Sequence, residues 1–397
     1  MKRRTGLFAL LAAVAALAVV AAAYASPAKK AAPAVAVRSA AAAVPCSNAK
    51  LAIMAPLTGD AGFLGVEQLS WAKYAVQTMN KALGMKVGLY QGDTQLDPAL
   101  ASTLAQKYVS DPKTMAIIGP STSGAVVATG PTFAAANLAA ISPSATRTTL
   151  TIGNQTAGKS FYRDVPHDGI QGPSDANYMI KYLHAKKVYI IDDEETYSTG
   201  LADAAGAALK AKGVTVIRDS VSQSVTDFSS IVTKVPSDTD VVFIPWQQPP
   251  EAQTFAQQMA EQGKKAKVFG SDGTNDPSKF HFAGAYVSNF APDITGIPAD
   301  KLLIAGWEKA NPGQKVGSFG PPTYGATQIA MLALKAACDQ NGGKVTRAQV
   351  LAQVPNVKIK QWILGGSWGG FSKTHDPVGA KFYIFEIQSN GSYKLVG

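Results

Sequence analysis

Met115 to Thr146 reads MAIIGPSTSGAVVATGPTFAAANLAAISPSAT. A short apolar run from Met115 to Gly119 ends in small hydroxyl residues. A helical pattern follows from Gly124 to Ala136, and a second apolar run spans Leu138 to Ser142. Strand, helix and strand in so few residues predict a parallel βαβ unit. Upstream the same rhythm holds. A strand is expected at Lys50 to Leu57, then a helix at Glu67 to Leu83 whose Trp71, Ala72, Ala75, Val76 and Met79 share one face. A strand at Lys86 to Tyr90 and a helix opening at Pro98 complete a βαβαβαβ order, which predicts a parallel sheet covered by helices on both faces. Downstream the alternation restarts. Strands are expected at Val188 to Asp192, Val214 to Arg218, Val241 to Pro245 and Lys267 to Gly270. Helices are expected at Thr199 to Lys212, Phe228 to Val235 and Pro250 to Gln262. An irregular join at about residues 161 to 170 separates the two series, so two similar α/β lobes are expected.

The chain has 397 residues, with 46% hydrophobic and 16% charged, which excludes a disordered tail or a coiled coil. Its net charge of +10 is the kind of value that accompanies nucleic-acid binding. The placement of the charge argues otherwise. Lys2, Arg3 and Arg4 precede an apolar run from Leu7 to Ala23 and then Ala23-Tyr24-Ala25, the form of an export signal cleaved after Ala25. A retained membrane anchor is the competing reading. Residues 26 to 45 read as an Ala/Pro/Lys-rich tether carrying Lys29, Lys30 and Arg38. Removing these six charges from +10 leaves +4 on the body, and no nucleic-acid partner is expected. The only two cysteines, Cys46 and Cys338, exclude multi-cysteine metal sites. Outside the cytoplasm they could pair; two buried thiols are the alternative.

In open parallel sheets, ligands bind where loops leave the carboxyl ends of the strands. Those ends hold Ser121-Thr122-Ser123 and Ser142 to Thr146 in the first lobe. In the second they hold Asp193 to Tyr197, Trp246-Gln247-Gln248 and Ser271-Asp272-Gly273. Ser123 stands before a helix, where it can act as N-cap beside unpaired N–H groups that favour a carboxylate. Ser144 and Thr146 follow the adjacent strand. Asp272 could pair with an ammonium, and Tyr197 could cover an aliphatic group. Hydroxyls on one side and an acid with aromatics on the other suit a zwitterion. An Asx turn at Asp272 and plain packing at Tyr197 are the structural alternatives.

Several stretches carry a resemblance: Ala55-Pro56-Leu57-Thr58-Gly59, Gly92 to Pro98, Ile118-Gly119-Pro120, Ser142 to Thr146, Tyr197 to Asp203, Asp227-Phe228-Ser229 and Gly270 to Gly273. They resemble the leucine/isoleucine/valine-binding family, the type I periplasmic solute-binding proteins of branched-chain amino-acid ABC transporters. The likeness runs from about residue 48 to the C terminus. It implies two Rossmann-like lobes with parallel sheets joined by three crossovers: residues 46–165 with 295–361, and 166–294 with 362–397. It implies that Ser123, Ser144 and Thr146 hold an α-carboxylate, that Asp272 holds the α-ammonium, and that Tyr197 lies at the cleft. Two aromatic positions depart from the family pattern, at Leu64 beside Phe63 and at Gln248 near Trp246, so the side-chain pocket is expected to differ. The implied function is capture of a branched-chain or related hydrophobic amino acid for an ABC permease, by a monomer without cofactor or catalysis, outside the cytoplasm.

Other readings on the same fold are a ligand sensor, or a binder of amides, urea or aromatic acids. An esterase is the enzymatic alternative, because Gly365-Gly366-Ser367-Trp368-Gly369 matches Gly-x-Ser-x-Gly. The motif lacks the strand before and helix after that a nucleophile elbow requires. His167, His184, His281 and His375 are isolated and show no metal-ligand spacing.

Overall fold

In a computed structural model that describes residues 43–397, the chain opens with β1 (Val44–Pro45) and β2 (Lys50–Ala55). It continues through α1 (Gly62–Leu83), β3 (Gly88–Asp93), α2 (Pro98–Ser110), β4 (Thr114–Ile118), α3 (Ser123–Ala135), β5 (Ala139–Ser142) and β6 (Phe161–Arg163). A second series runs α4 (Asp168–Lys181), β7 (Lys187–Asp192), α5 (Thr196–Ala211), β8 (Thr215–Ser220), α6 (Ser229–Lys234), β9 (Val241–Phe243), α7 (Pro249–Glu261), β10 (Lys267–Gly270) and β11 (Tyr286–Asn289). The remainder is α8 (Lys301–Ala310), α9 (Gly320–Gln340), β12 (Lys344–Val345), α10 (Arg347–Gln353), β13 (Tyr383–Ile387) and β14 (Tyr393–Leu395).

Two large sheets result. One has order β3-β2-β4-β5-β6 and is wholly parallel. The other has order β14-β13-β11-β10-β9-β7-β8, parallel from β8 to β11 and closed by the antiparallel pair β13 and β14. The side-chain period of two explains why each sheet needs helices on both faces. Along β2, Leu51, Ile53 and Ala55 enter one core, shared with α1, α9 and α10, while Ala52 and Met54 enter the other, shared with α2 and α3. Along β7, Tyr189 and Ile191 face α6 and α7, while Val188 and Ile190 face α4 and α5. The chain crosses between lobes before α4, after β11 and before β13.

The third crossing comes later than the expected boundary at residue 362. Trp362 and Trp368 are buried in the first lobe's core, 4.5 Å apart between ring centroids, and the chain enters the second sheet only at β13. The tether also ends sooner than residue 45, since β1 pairs with β12 through Val44–Val345 and Pro45–Lys344. The export signal and residues 26–42 lie outside the described residues. Cys46 and Cys338 form a disulfide beside this pairing. Helix α1 starts five residues before the predicted Glu67. Its first turn carries Gly62 and Gly65, which show no apolar stripe, and a Cβ on Gly65 would stand 1.8 Å from the Pro56 carbonyl oxygen. Close backbone approach explains both the glycine and the missing signal. No described helix is long and apolar enough to cross a membrane.

Candidate functional site

In each sheet the strand order turns around the first strand, β2 or β7, and loops from neighbouring strands diverge there to leave a crevice. In the first lobe the crevice wall is polar. Ser121 lies 2.5 Å from Gln68 Oε1, Gln68 Nε2 donates to Ser144 Oγ at 2.9 Å, and Ser144 Oγ donates to the Ser121 carbonyl at 2.6 Å. One glutamine on α1 therefore fixes both hydroxyl loops. Thr122, not Ser123, is the N-cap of α3, and its side chain makes no cap. Ser123 is the first helical residue, and its Oγ accepts the Arg147 amide at 3.3 Å. The first N–H groups of this 13-residue helix remain available to an anion at the crevice.

The second lobe answers with an acid. Asp272 opens a tight turn after β10 and is buried with Tyr197. Tyr197 Oη donates to Asp272 Oδ1 at 2.5 Å, and Gln171 Nε2 donates to the same oxygen at 2.7 Å. Both side-chain bonds fall on Oδ1, which leaves Oδ2 for a ligand donor. A Cβ on Gly273 would stand 2.3 Å from the Trp246 carbonyl oxygen, so the loops after β9 and β10 touch only because this residue is glycine.

Behind Asp272, Gln171 also donates to Ser288 Oγ at 3.0 Å, and Ser288 Oγ donates to Asp175 Oδ2 at 3.0 Å. Asp168, Gln171 and Asp175 share one face of α4 at i, i+3 and i+7. Burial pushes the Asp272 carboxyl up to about 6, against the lowering effect of its bonds from Tyr197 and Gln171. Burial, reinforced by the charge of Asp272, pushes Asp168 up to about 7. Burial also raises Asp175 well above the carboxylate range. Three buried acids with no cation bonded to them favour a ligand that brings a positive group.

Leu64, Ser121, Thr122, Ser123 and Ser144 line one side of a cavity, and Tyr197, Gln247, Asp272 and Gly273 line the other, with Phe319 from the loop before α9 at the end. Its volume is about 10 Å³, close to one water. Residues of both lobes thus face one small shared space. Of the expected site residues, Ser123, Ser144, Tyr197, Asp272 and Leu64 meet at this cavity. Thr146 lies deeper, its hydroxyl close to the Asp168 carboxylate but without a well-formed hydrogen bond.

Three expected residues fall elsewhere. Trp246 is a core residue: its Nε1 donates to the Ile191 carbonyl at 2.7 Å and its ring stacks on Phe228 at 5.1 Å. Gln248 is the N-cap position of α7, and its neighbour Gln247 takes the place at the cavity. Phe63 packs edge-on against Phe319 at 5.8 Å, and it is Phe319 of the two that lines the cavity. Sequence reasoning missed Phe319, Gln68, Gln171, Asp168 and Asp175. Phe319 is held by Glu67 on α1, whose carboxylate accepts the amides of Gly317, Phe319 and Gly320 at 3.0, 3.2 and 2.8 Å. The helix-face spacing of Asp168, Gln171 and Asp175 was a readable signal for those three.

Residues 48–392 match the periplasmic binding protein family. An amino acid binding protein of Pseudomonas aeruginosa is 27% identical over 354 residues, covering 86% of this chain and 91% of that protein. A leucine binding protein from Thermotoga maritima has a similar fold, with a TM-score of 0.78, 21% identity and coverage of 88% and 98% of the two chains. A solute binding protein of an ABC transporter from R. palustris, solved in complex with benzoate, also shares it, with a TM-score of 0.76, 18% identity and coverage of 88% and 95%.

Proposed function

The chain belongs to the periplasmic binding protein family, and from that premise we propose that it captures an amino acid, branched-chain or related hydrophobic, between its two lobes and delivers it to an ABC permease. The observation that carries the reading is Asp272: a buried carboxylate anchored through one oxygen, facing the N-terminus of α3 across the cavity. An α-ammonium takes Oδ2 of Asp272. The α-carboxylate takes the N–H groups and hydroxyls at Thr122 and Ser123, where the helix dipole favours an anion. Leu64, Phe319 and Tyr197 surround the side chain. A ligand shifts the equilibrium toward closure only by its greater affinity for the closed form, so it must touch both lobes at once. An amino acid does so with its two charged ends.

An export signal read at residues 1–25 supports a place outside the cytoplasmic membrane, and in this reading the protein acts there as a monomer that meets the permease when closed. N-terminal sequencing of the exported protein tests this, with a start at Ser26 expected. A thermal-shift panel of amino acids, amides and aromatic acids tests the ligand class. Stabilisation by leucine, isoleucine or valine is expected. No response to any amino acid, with a response to benzoate or an amide, would overturn the zwitterion clamp.

A further inference from the structure

Arg147 belongs to the first lobe, on the loop after β5, yet its guanidinium reaches the second. Nη1 donates to the Thr196 carbonyl and to Thr199 Oγ1 at 3.1 Å, both in the first turn of α5. The base of the side chain is held firmly. Nε donates to Thr149 Oγ1 at 3.0 Å, and the Arg147 amide donates to Ser123 Oγ at 3.3 Å. Its carbonyl accepts from Arg163 Nη1 at 2.8 Å. Arg163 is itself fully buried and paired with Asp376 at 2.6 Å. The root of the arm is therefore fixed to one lobe before its tip touches the other.

The opposing surface has a seat for it. Gly200 sits on α5 where a Cβ would stand 2.9 Å from Arg147 Nη1 and 3.1 Å from its Cγ. Arg147 does not line the cavity. Its contacts across the cleft exist only while the lobes are together, and they involve no ligand atom.

We propose that Arg147 is an interlobe latch, seated against Gly200, that stabilises the closed form without touching the ligand. The inference rests on the reading that closure retains an amino acid. Contacts made in the closed form alone raise its population and, through it, the apparent affinity. Charge-assisted hydrogen bonds of this kind support an effect of about tenfold, mostly as slower ligand release.

The test uses single-molecule fluorescence transfer between dyes at Lys81→Cys and Lys212→Cys, exposed positions on opposite lobes, with L-leucine as the probe. The two native cysteines are bonded to each other and stay unlabelled. Arg147→Met is expected to lower the closed fraction and the leucine affinity about tenfold with an unchanged melting temperature. Gly200→Ala, which improves helix propensity, pushes the guanidinium off its seat and gives a loss of the same kind. The double variant is expected to match Arg147→Met alone. Thr199→Val, altered only on the far lobe, gives a smaller loss. A closed fraction and leucine release rate within twofold of wild type in Arg147→Met would overturn the latch, and additive losses in the double variant would overturn the seat. If L-leucine changes nothing in wild type, the amino-acid reading fails. The latch is then decided by the closed fraction without ligand: lower in Arg147→Met supports it, and equal overturns it.

Discussion

Asp272→Asn is the sharpest perturbation of the proposed clamp, because it removes one charge and keeps the shape. The retained Oδ1 can still accept from Tyr197 and Gln171, while the group facing the ligand becomes an amide donor opposite an ammonium. Breaking one partner of a buried charge pair costs about 3 kcal/mol or more, so at pH 7.5 leucine affinity should fall roughly a hundredfold or more. The same carboxyl sets a pH dependence. Only its ionised form pairs with the ammonium, and burial holds its pKa at about 6. Wild-type affinity should therefore weaken about tenfold between pH 7.5 and 5, with the bend beginning nearer 7 where Asp168 takes up its proton. Stability of the ligand-free protein runs the other way. Asp272 and Asp168 hold protons in the fold that the unfolded chain has already released, so stability is lost as pH rises from the ordinary carboxylate value through about 6 and 7. Acidification from pH 7.5 to 5 should raise the melting temperature while it lowers affinity. Calorimetric titrations and melting curves across this range measure both. An Asp272→Asn affinity within threefold of wild type, or a flat wild-type affinity profile, would refute the reasoning.

Tyr197→Phe removes a donor to Asp272, whose bond lowers the acid's pKa; the midpoint of the affinity profile should move above 6 and affinity at pH 7.5 should fall about tenfold, both read by calorimetry. Arg163→Met strands the buried Asp376 carboxylate, which Arg163 holds below the usual range. Urea unfolding should show a loss of about 3–5 kcal/mol, largely recovered in Arg163→Met/Asp376→Asn. Cys46→Ser with Cys338→Ser releases residues 292 apart in sequence, and a loss of about 5 kcal/mol is expected from the restored freedom of the unfolded chain, seen as a lower melting temperature with leucine affinity unchanged.

The parallel lobes were legible because buried strands such as β2, β4, β5, β7 and β9 are short apolar runs and most of the loops at their carboxyl ends are small or polar. That rule delivered Ser123, Ser144, Tyr197 and Asp272 to the cavity. It failed at Trp246, because an aromatic at a strand end satisfies the same pattern whether it turns to the cleft or to the core. A partner for its indole N–H in the Ile191 carbonyl decides for the core, and that bond spans residues far apart in sequence. Phe319 was invisible for the opposite reason. It sits in the loop between α8 and α9, which has no periodicity, and Glu67 places it by accepting three amides. The boundary at residue 362 was misplaced because Gly365, Gly366, Gly369 and Gly370 break any strand or helix pattern, while Trp362 and Trp368 bind the segment to the first lobe.

The strand pair at Val44–Val345 and the disulfide beside it have a mechanical consequence. Tension applied to the chain upstream of residue 43 passes through β12 and the end of α9 into the core of the first lobe, bypassing the cleft and all three crossovers. The second lobe carries none of that load. Any movement of that lobe is mechanically isolated from pulling on the chain upstream of residue 43.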